Sequence, residues 1–302
     1  MAKDRDMRSD MKNKHSRPFR EGGYGQRGPK RRPYEKSEEA YNTRADVADT
    51  ENAAMDDTNG AVVGRNAVRE LLRSERPIDK VYVRKGEREG SITMLVAMAL
   101  EKKIPVVEVE KPKLDALACG LMHQGIVAMA AQKEYCSVED ILNIAKERNE
   151  MPLIIIADNI NDPSNLGAII RTAECAGAHG VIIPKRHASG ISPAVTRASA
   201  GAVEHMAVAK VSNIAQCIEA LKKEGVWTYA AEAGGTDYDT VDYHGPCALV
   251  FGSEGEGVSR LVKETCDFIV SIPMYGHVNS LNVSAAAAVI INEAKRGQVR
   301  RG

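Results

Sequence analysis

The sequence predicts a two-part α/β protein whose C-terminal half is built on a parallel sheet. Three observations predict it. Five short runs between positions 153 and 273 are almost continuously apolar (LIIIAD, GVIIPK, WTYAAEA, CALVFG and DFIVSIP), and helix-like stretches separate them. Strands that are apolar on both sides belong in a sheet covered on both faces, and αβ alternation makes such a sheet parallel. Residues 64–132 repeat the alternation on a smaller scale, enough for a separate small domain. Residues 1–60 do neither; they are rich in Arg, Lys, Gly, Pro, Asp and Glu and have almost no aliphatic side chains. They cannot bury enough apolar surface to offset the entropy of ordering, so they are expected to be disordered.

Charge divides that tail. Residues 1–36 carry 12 basic and 5 acidic side chains, whereas residues 37–60 carry 1 and 7. The rest of the chain is close to neutral, so only the tail's charge hints at a partner. Phe19, Tyr24 and Tyr34 interleave there with Arg17, Arg20, Arg27, Arg31 and Arg32. Cations steer toward phosphate and aromatic rings stack on unpaired bases. A solvated leader without a partner has the same composition.

From position 62 the elements follow in order. GRNAVRELLRS predicts a short helix, DKVYVRK a strand, SITMLVAMALEKKI a helix, PVVEVE a strand, KPKLDALAC a helix and GIVAMAAQ a strand. Residues 134–151 read as a linker plus a helix capped by Ser137, with Asp140 at its third position. The expected division is therefore a tail at 1–60, a small domain at 61–133, a linker and helix at 134–151, and a second domain at 152–302. Six cysteines lie scattered without a C-x-x-C pair, which argues against a disulfide framework or a zinc site. No apolar run approaches the roughly 18 residues of a membrane span, and no apolar signal core opens the chain. A cytoplasmic protein with no membrane partner is expected.

Three segments carry chemistry, each at the end of an apolar run and each leading into a helix-like stretch. DNINDPSNLGAIIRTAECAG (158–177) offers Asp162 as a helix cap with Pro163 at the first helical position, then Asn165, and Arg171 about two turns along. Helix N-termini favour anions, and Arg can hold a phosphate through two parallel bonds. Taken alone, Asn165 serves equally as a turn residue and Arg171 as a surface ion pair. VFGSEGEG (250–257) sets Gly252, Gly255 and Gly257 after a strand, in the order G-x-x-G-x-G. This is neither a dinucleotide fingerprint nor a Walker loop. It permits close backbone approach to a ligand, as it also permits a tight turn. SIPMYGHVNSLNVSAAAA (271–288) passes through Gly276 and Ser280-Leu281-Asn282 into an alanine run that allows close packing.

These three segments, in this order, resemble motifs one, two and three of the SpoU/TrmH branch of the SPOUT RNA methyltransferases. GRNAVRELL and His123-Gln124-Gly125 resemble the small substrate-binding domain of that family's ribosomal-RNA guanosine 2′-O-methyltransferases. The resemblance spans roughly residues 62–299. It implies a SPOUT domain with a deep trefoil knot, preceded by a small ribosomal-protein-like domain. It also implies a homodimer, S-adenosylmethionine as cofactor and no metal. Its cofactor lining falls on Ala231, Glu232, Ala233, Gly252, Glu254, Ile272 and Leu281. Its catalytic set falls on Asn165, Arg171, Glu254, Ser280 and Asn282. The implied reaction is methylation of a ribose 2′-hydroxyl of RNA, on a guanosine of 23S ribosomal RNA or its precursor particle. Transfer RNA is the alternative substrate. A non-catalytic ribosome-assembly factor on the same fold and an ordinary nucleotide-binding α/β enzyme are the alternative classes. The polar set and the glycine order respectively argue against those two.

The tail generates a prediction of its own. Deleting residues 1–60 should weaken RNA binding at low salt and flatten its salt dependence, because fewer counterions are then released. The modified nucleotide should stay the same. Filter binding across a salt series, with methylation mapping, checks both; an unchanged slope would make the tail a solvated leader.

Overall fold

The computed structural model describes residues 60–86 and 90–300. The expected disorder of residues 1–59 falls outside them. The small N-terminal part contains β1 (Ala61–Val63), α1 (Arg65–Arg73), β2 (Ile78–Arg84), α2 (Ser91–Glu101), β3 (Val106–Val109), α3 (Lys111–Leu117) and β4 (Ile126–Ala130). Its sheet runs β1-β4-β2-β3, with β4 antiparallel to both neighbours and β2 parallel to β3. Strand alternation sorts the side chains onto two faces. Val81 and Val83 pack with Leu71 and Leu72 of α1 and Leu95 of α2, while Val127 faces Leu114 of α3 on the other side. The three-residue β1 is an addition to the expected elements; it is too short for its alternation to register in the sequence.

Helix α4 (Val138–Arg148) bridges the two parts and begins as the sequence predicts. Ser137 Oγ accepts from the Asp140 amide at 3.1 Å, and the Asp140 carboxylate accepts from the Ser137 amide at 2.8 Å. This reciprocal cap satisfies two otherwise orphaned donors.

The C-terminal part contains β5 (Leu153–Ala157), α5 (Pro163–Cys175), β6 (Gly180–Pro184), α6 (Pro193–Ala198), a 3-10 turn (Ala202–Glu204), β7 (Val208–Val211), α7 (Ile214–Lys223), β8 (Trp227–Asp237), β9 (Cys247–Phe251), α8 (Arg260–Thr265), β10 (Phe268–Ser271) and α9 (Val283–Arg300). Six strands form one sheet in the order β10-β8-β9-β5-β6-β7, and every pairing is parallel. β5 shows why its sequence is continuously apolar. Leu153, Ile155 and Ala157 pack against α5 and α9, whereas Ile154 and Ile156 pack against α4, α7 and α8. Each fully buried Leu or Ile there contributes about 1.5–3 kcal/mol.

One expectation needs correction. β7, with the sequence VAKV, is a further strand at the sheet edge; its lysine and its brevity disguise it. The alanine run of α9 serves two surroundings at once: Ala287 is buried in the core and Ala286 lines a cavity, while Ala285 is exposed.

A buried ion pair joins the two parts. Arg76 Nη1 lies 2.8 Å from Glu204 Oε1, and the Glu204 side chain is 0% exposed. Arg76 Nε donates to the Ala131 carbonyl, and Lys133 Nζ donates to the Glu204 carbonyl at 3.2 Å. Burial pushes the Lys133 ammonium below its usual pKa, with Glu204 opposing the shift. Gly201 lets the backbone meet α1 directly, because a Cβ there would lie 3.0 Å from Ala67 Cα and 2.8 Å from Glu70 Cβ. Its φ of +90° is left-handed as well, so glycine is required twice over.

Removing one partner of a buried pair strands the other charge. Glu204→Ala is therefore expected to lower the unfolding free energy by about 3 kcal/mol, whereas changing the exposed Glu264 should leave it within ~0.5 kcal/mol. Urea unfolding of the two variants compares them.

Candidate functional site

The loops after β5, β9 and β10 leave the same edge of the parallel sheet, the carboxyl end, where open α/β sheets bind ligands. Two of them meet where strand order reverses. β5 continues outward to β6 and β7 on one side, and β9 is its neighbour on the other.

Each loop is held in place by identifiable bonds. After β5, the Asp162 side chain accepts from the Ser164 amide at 2.9 Å, and Pro163 opens α5. Asn165 follows at the third helical position and is buried. Gly167 then lets α5 press on α6; a Cβ there would lie 2.5 Å from Ala198 Cβ. After β9, Ser253 and Gly257 close a tight loop through paired backbone bonds of 3.1 and 3.0 Å, leaving Glu254, Gly255 and Glu256 at its tip. A Cβ on Gly252 would lie 2.0 Å from the Gly257 carbonyl carbon, so only glycine fits. Buried Asp158 accepts from the Ser259 amide at 2.8 Å and so ties the first loop to the end of the second. After β10, Asn282 caps α9 by accepting from the Ser284 amide at 2.9 Å.

Three side chains from the three loops converge. Asn165 Nδ2 donates to Glu254 Oε1 at 2.9 Å; Asn282 Nδ2 donates to Asn165 Oδ1 at 3.0 Å and also to Glu254 Oε1. The carboxylate is the shared acceptor, and the two amides are fixed in orientation by it. Charge-assisted bonds of this kind are stronger than neutral ones.

The triangle borders a cavity of about 420 Å³. Ala231, Glu232, Ala233, Gly252, Glu254, Ser280, Leu281 and Ile272, all marked in the sequence, line it. Reading the sequence missed Asn279, Ala286 and Ile290 in the lining, and it missed how the Ala231–Ala233 wall is made. β10 pairs Phe268 and Ile269 with Tyr229 and Ala230, then Val270 with Thr236. Residues 231–235 bulge out of that pairing. Gly234 has φ +78°, and a Cβ on Gly235 would lie 2.5 Å from the Ile269 carbonyl oxygen. The Gly-Gly pair inside a strand was the available signal.

Glu232 does more than line the wall. Its carboxylate accepts from the Val258 amide at 3.1 Å and fills the space where a Gly257 side chain would stand. Arg171 is the exception among the catalytic candidates. It is exposed on α5, and six residues beyond Asn165 is about 240° around the helix, a different face. The structure brings together Asn165, Glu254 and Asn282, sets Ser280 on the same cavity, and leaves Arg171 outside it.

Among the described residues, no group of three or more His, Cys, Asp or Glu is placed to hold a metal ion, and no helix is long and apolar enough to cross a membrane. The thiols of buried Cys217 and Cys247 and of half-buried Cys266 are pushed up by burial, to about 11, 12 and 12, and none lines the cavity.

Gly252→Ala should force the Ser253–Gly257 turn open. Binding of S-adenosylmethionine, the cofactor implied by the sequence resemblance, is then expected to weaken roughly tenfold or more, on the scale of an overpacking penalty. Titration calorimetry reads the change; unaltered affinity would mean that the turn does not shape the ligand's seat.

Residues 152–292 match the SpoU rRNA Methylase family, and residues 61–136 match the RNA 2′-O ribose methyltransferase substrate binding family. A Bacillus subtilis protein that its name places among TrmH family tRNA/rRNA methyltransferases is 42% identical over 243 residues, 80% of this chain and 97% of the relative. A Staphylococcus haemolyticus protein of the same description is 44% identical over 79% of this chain and 96% of its own length. Among solved structures, the SpoU methyltransferase AviRb of Streptomyces viridochromogenes in complex with AdoMet superposes with a TM-score of 0.65 at 25% identity, covering 80% of this chain and 90% of its own. An AdoMet-bound rRNA methyltransferase of Sinorhizobium meliloti gives 0.66 at 25% identity, over 86% and 96%. Motif, fold and near-full-length identity agree: the chain belongs to the SpoU/TrmH family of RNA methyltransferases.

Proposed function

We propose that this protein transfers a methyl group from S-adenosylmethionine to the 2′-hydroxyl of a guanosine ribose in 23S ribosomal RNA. The observation that carries the reading is the Asn165–Glu254–Asn282 triangle beside the cavity. The residues present suit the cofactor. Cavities of about 300–1,000 Å³ take such ligands, and about 420 Å³ lies within that range. Ala231, Ala233 and Gly252 keep the walls low, Ile272 and Leu281 offer apolar surface to a planar base, and the glycine turn exposes backbone groups to a polar tail. Two AdoMet-bound relatives of the same fold support the assignment. The match of residues 61–136 to a 2′-O ribose substrate-binding family supports the ribose hydroxyl as acceptor.

When bound, S-adenosylmethionine supplies an electrophilic methyl group on its sulfonium. The chain's own task is positioning, which accounts for large rate factors without covalent chemistry. Glu254 holds Asn165 and Asn282 in fixed orientations, Ser280 presents its hydroxyl at the cavity, and Asp158 and Glu232 keep the glycine loop closed. Arg171 orients an RNA phosphate and polarises the 2′-hydroxyl. The 2′-hydroxyl proton leaves to an RNA phosphate or to water as the methyl group arrives.

The exposed position of Arg171 fits a site completed at the interface of a homodimer, with α5 of one protomer facing the cavity of its partner. We also infer that the segment after β10 threads the loop after β9 in a deep trefoil knot. On this reading residues 61–133 bind RNA, 134–151 connect, and 152–302 transfer the methyl group.

Arg171→Ala is expected to abolish methyl transfer while S-adenosylmethionine binds nearly as before. Arg171→Lys should rescue poorly, since a point charge lacks the planar fork. Single-turnover transfer of labelled methyl and calorimetry separate the two effects; near-normal turnover would return Arg171 to a surface role. Mapping 2′-O-methylation across ribosomal and transfer RNA, with and without the protein, tests the substrate. One guanosine of 23S ribosomal RNA should lose its methyl group, and a loss confined to transfer RNA would overturn the ribosomal assignment.

A further inference from the structure

A second cavity opens at the carboxyl edge of the parallel sheet, on the face covered by α7 and α8. It holds about 620 Å³ and shares no lining residue with the cavity beside Glu254. Residues 258 and 259 part the two. The Val258 amide donates to Glu232, which lines the first cavity, and the next amide, of Ser259, donates to Asp158, which lines the second. The loops after β5, β6 and β7 supply Asn159, Lys185, Arg186, His187 and Asn213 to its lining. The Ser189 amide donates to the Ile160 carbonyl at 2.9 Å and ties the second of these loops to the first. Asn159 and His187 have left-handed backbones, φ +57° and +58°, which residues other than glycine hold where their surroundings over-determine them.

The lining has two halves. Lys185, Arg186 and His187 follow one another after β6; all three are exposed, and none of their side chains has a partner among the described residues. The one carboxylate in the lining, Asp158, is buried and already bonded by Ser259. Asn213 Oδ1 accepts from the Gln216 amide at 3.0 Å, which leaves the Ile214 and Ala215 amides, the first two of the ten-residue α7, without an acceptor among the described residues. Unpaired cations beside open helix amides suit a phosphate. The other half is apolar. Pro184, Ile214, Leu261 and Val262 line it, and Leu261 is 62% exposed on α8. A phosphate seat and an apolar surface in one cavity match a nucleotide, which joins an anion to a flat base.

We propose that this cavity seats a second nucleotide of the substrate strand, a neighbour of the one being methylated. Its phosphate lies at Lys185, Arg186 and the α7 amides, and its base lies against Leu261. The proposal rests on RNA being the substrate. It follows from position: only residues 258 and 259 part the two cavities, so a strand with one nucleotide at the first has a neighbour at the second. Phosphate contacts fix register without reading sequence. The second seat therefore sets which ribose the strand presents to the cofactor.

The test uses the full chain without cofactor, so that its outcome does not depend on methyl transfer. A fluorescein-labelled single-stranded RNA is titrated across a salt series with wild type, with Lys185→Gln/Arg186→Gln and with Leu261→Ala. Lys146→Gln/Lys223→Gln, two exposed cations outside the cavity, is the control. Loss of one phosphate seat should lower the slope of log affinity against log salt by about 0.7 in the first variant. Leu261→Ala should keep the slope and weaken binding about fourfold at every salt, the scale of one buried methylene. The control should match wild type. The same RNA carrying 4-thiouridine, crosslinked to wild type, gives a reading that needs no variant to fold; crosslinked peptides should include residues 185–187 or 261–262. Adenosine 5′-monophosphate separates a nucleotide of the strand from a free one: it should bind weakly and be displaced by the RNA. A free nucleotide that stays bound while RNA saturates the protein would overturn the subsite. So would an unchanged slope in the first variant, full affinity in Leu261→Ala, an equal slope loss in the control, or crosslinks that avoid both segments. Normal slope loss without methyl transfer would support the subsite and count against the catalytic reading alone.

Discussion

One carboxylate organises the carboxyl edge of the parallel sheet. Glu254 stands at the tip of a five-residue turn and accepts from Asn165 and Asn282, which belong to loops 89 and 28 residues away. Parallel topology makes this possible, because it delivers the ends of β5, β9 and β10 to one edge. It does not by itself make it rigid. Loops at such an edge carry backbone polar groups that need partners, and here many partners lie in neighbouring loops. Asp158 takes the Ser259 amide, Glu232 takes the Val258 amide, and Asn282 caps α9 while bonding Asn165. The cavity wall is thus fixed by bonds that cross between segments. Moving one segment breaks bonds in another, which is the condition for placing a small ligand repeatedly in one pose.

Much of this was legible because the signals are local. Asp162-Pro163 and Ser137-x-x-Asp140 announce helix starts through bonds that close within three residues, and both caps form as read. The five apolar runs announce a sheet buried on both faces, and the alternating sides of β5 explain why no polar residue interrupts it. What stayed hidden depends on distant partners. The bulge at residues 231–235 is decided by how β10 registers on β8, and Glu232 acquires its role only when Val258 arrives. β7 escapes notice because edge strands tolerate a lysine that central strands do not. The alanine run left two readings open because its four residues point in different directions around α9; the core takes Ala287 and the cavity takes Ala286.

The small domain reaches the catalytic domain through contacts of a different kind. Arg76 and Glu204 form a buried pair whose worth lies more in geometry than in net stability, since desolvation offsets much of the attraction. Gly201 brings the backbone against Ala67 and Glu70. Together these fix the face of α1 relative to the end of α6. A second, exposed contact between His205 Nε2 and Glu70 at 3.0 Å lies on the same side of the junction. Helix α1 therefore has two duties. Its first residue, Arg65, bonds Gln124 through its amide and its Nε, while Ala67 and Glu70 dock on the other domain.

The frame around Gln124 and the frame around Glu254 are each fixed by cross-bonding, and α1 links the first of them to the domain that carries the second. The spacing of the two frames is therefore set by packed elements and not by a linker. Arg171 stands apart, exposed on α5. The cavity beside Glu254 is walled by loops of this one chain, and their cross-bonds hold that wall without Arg171.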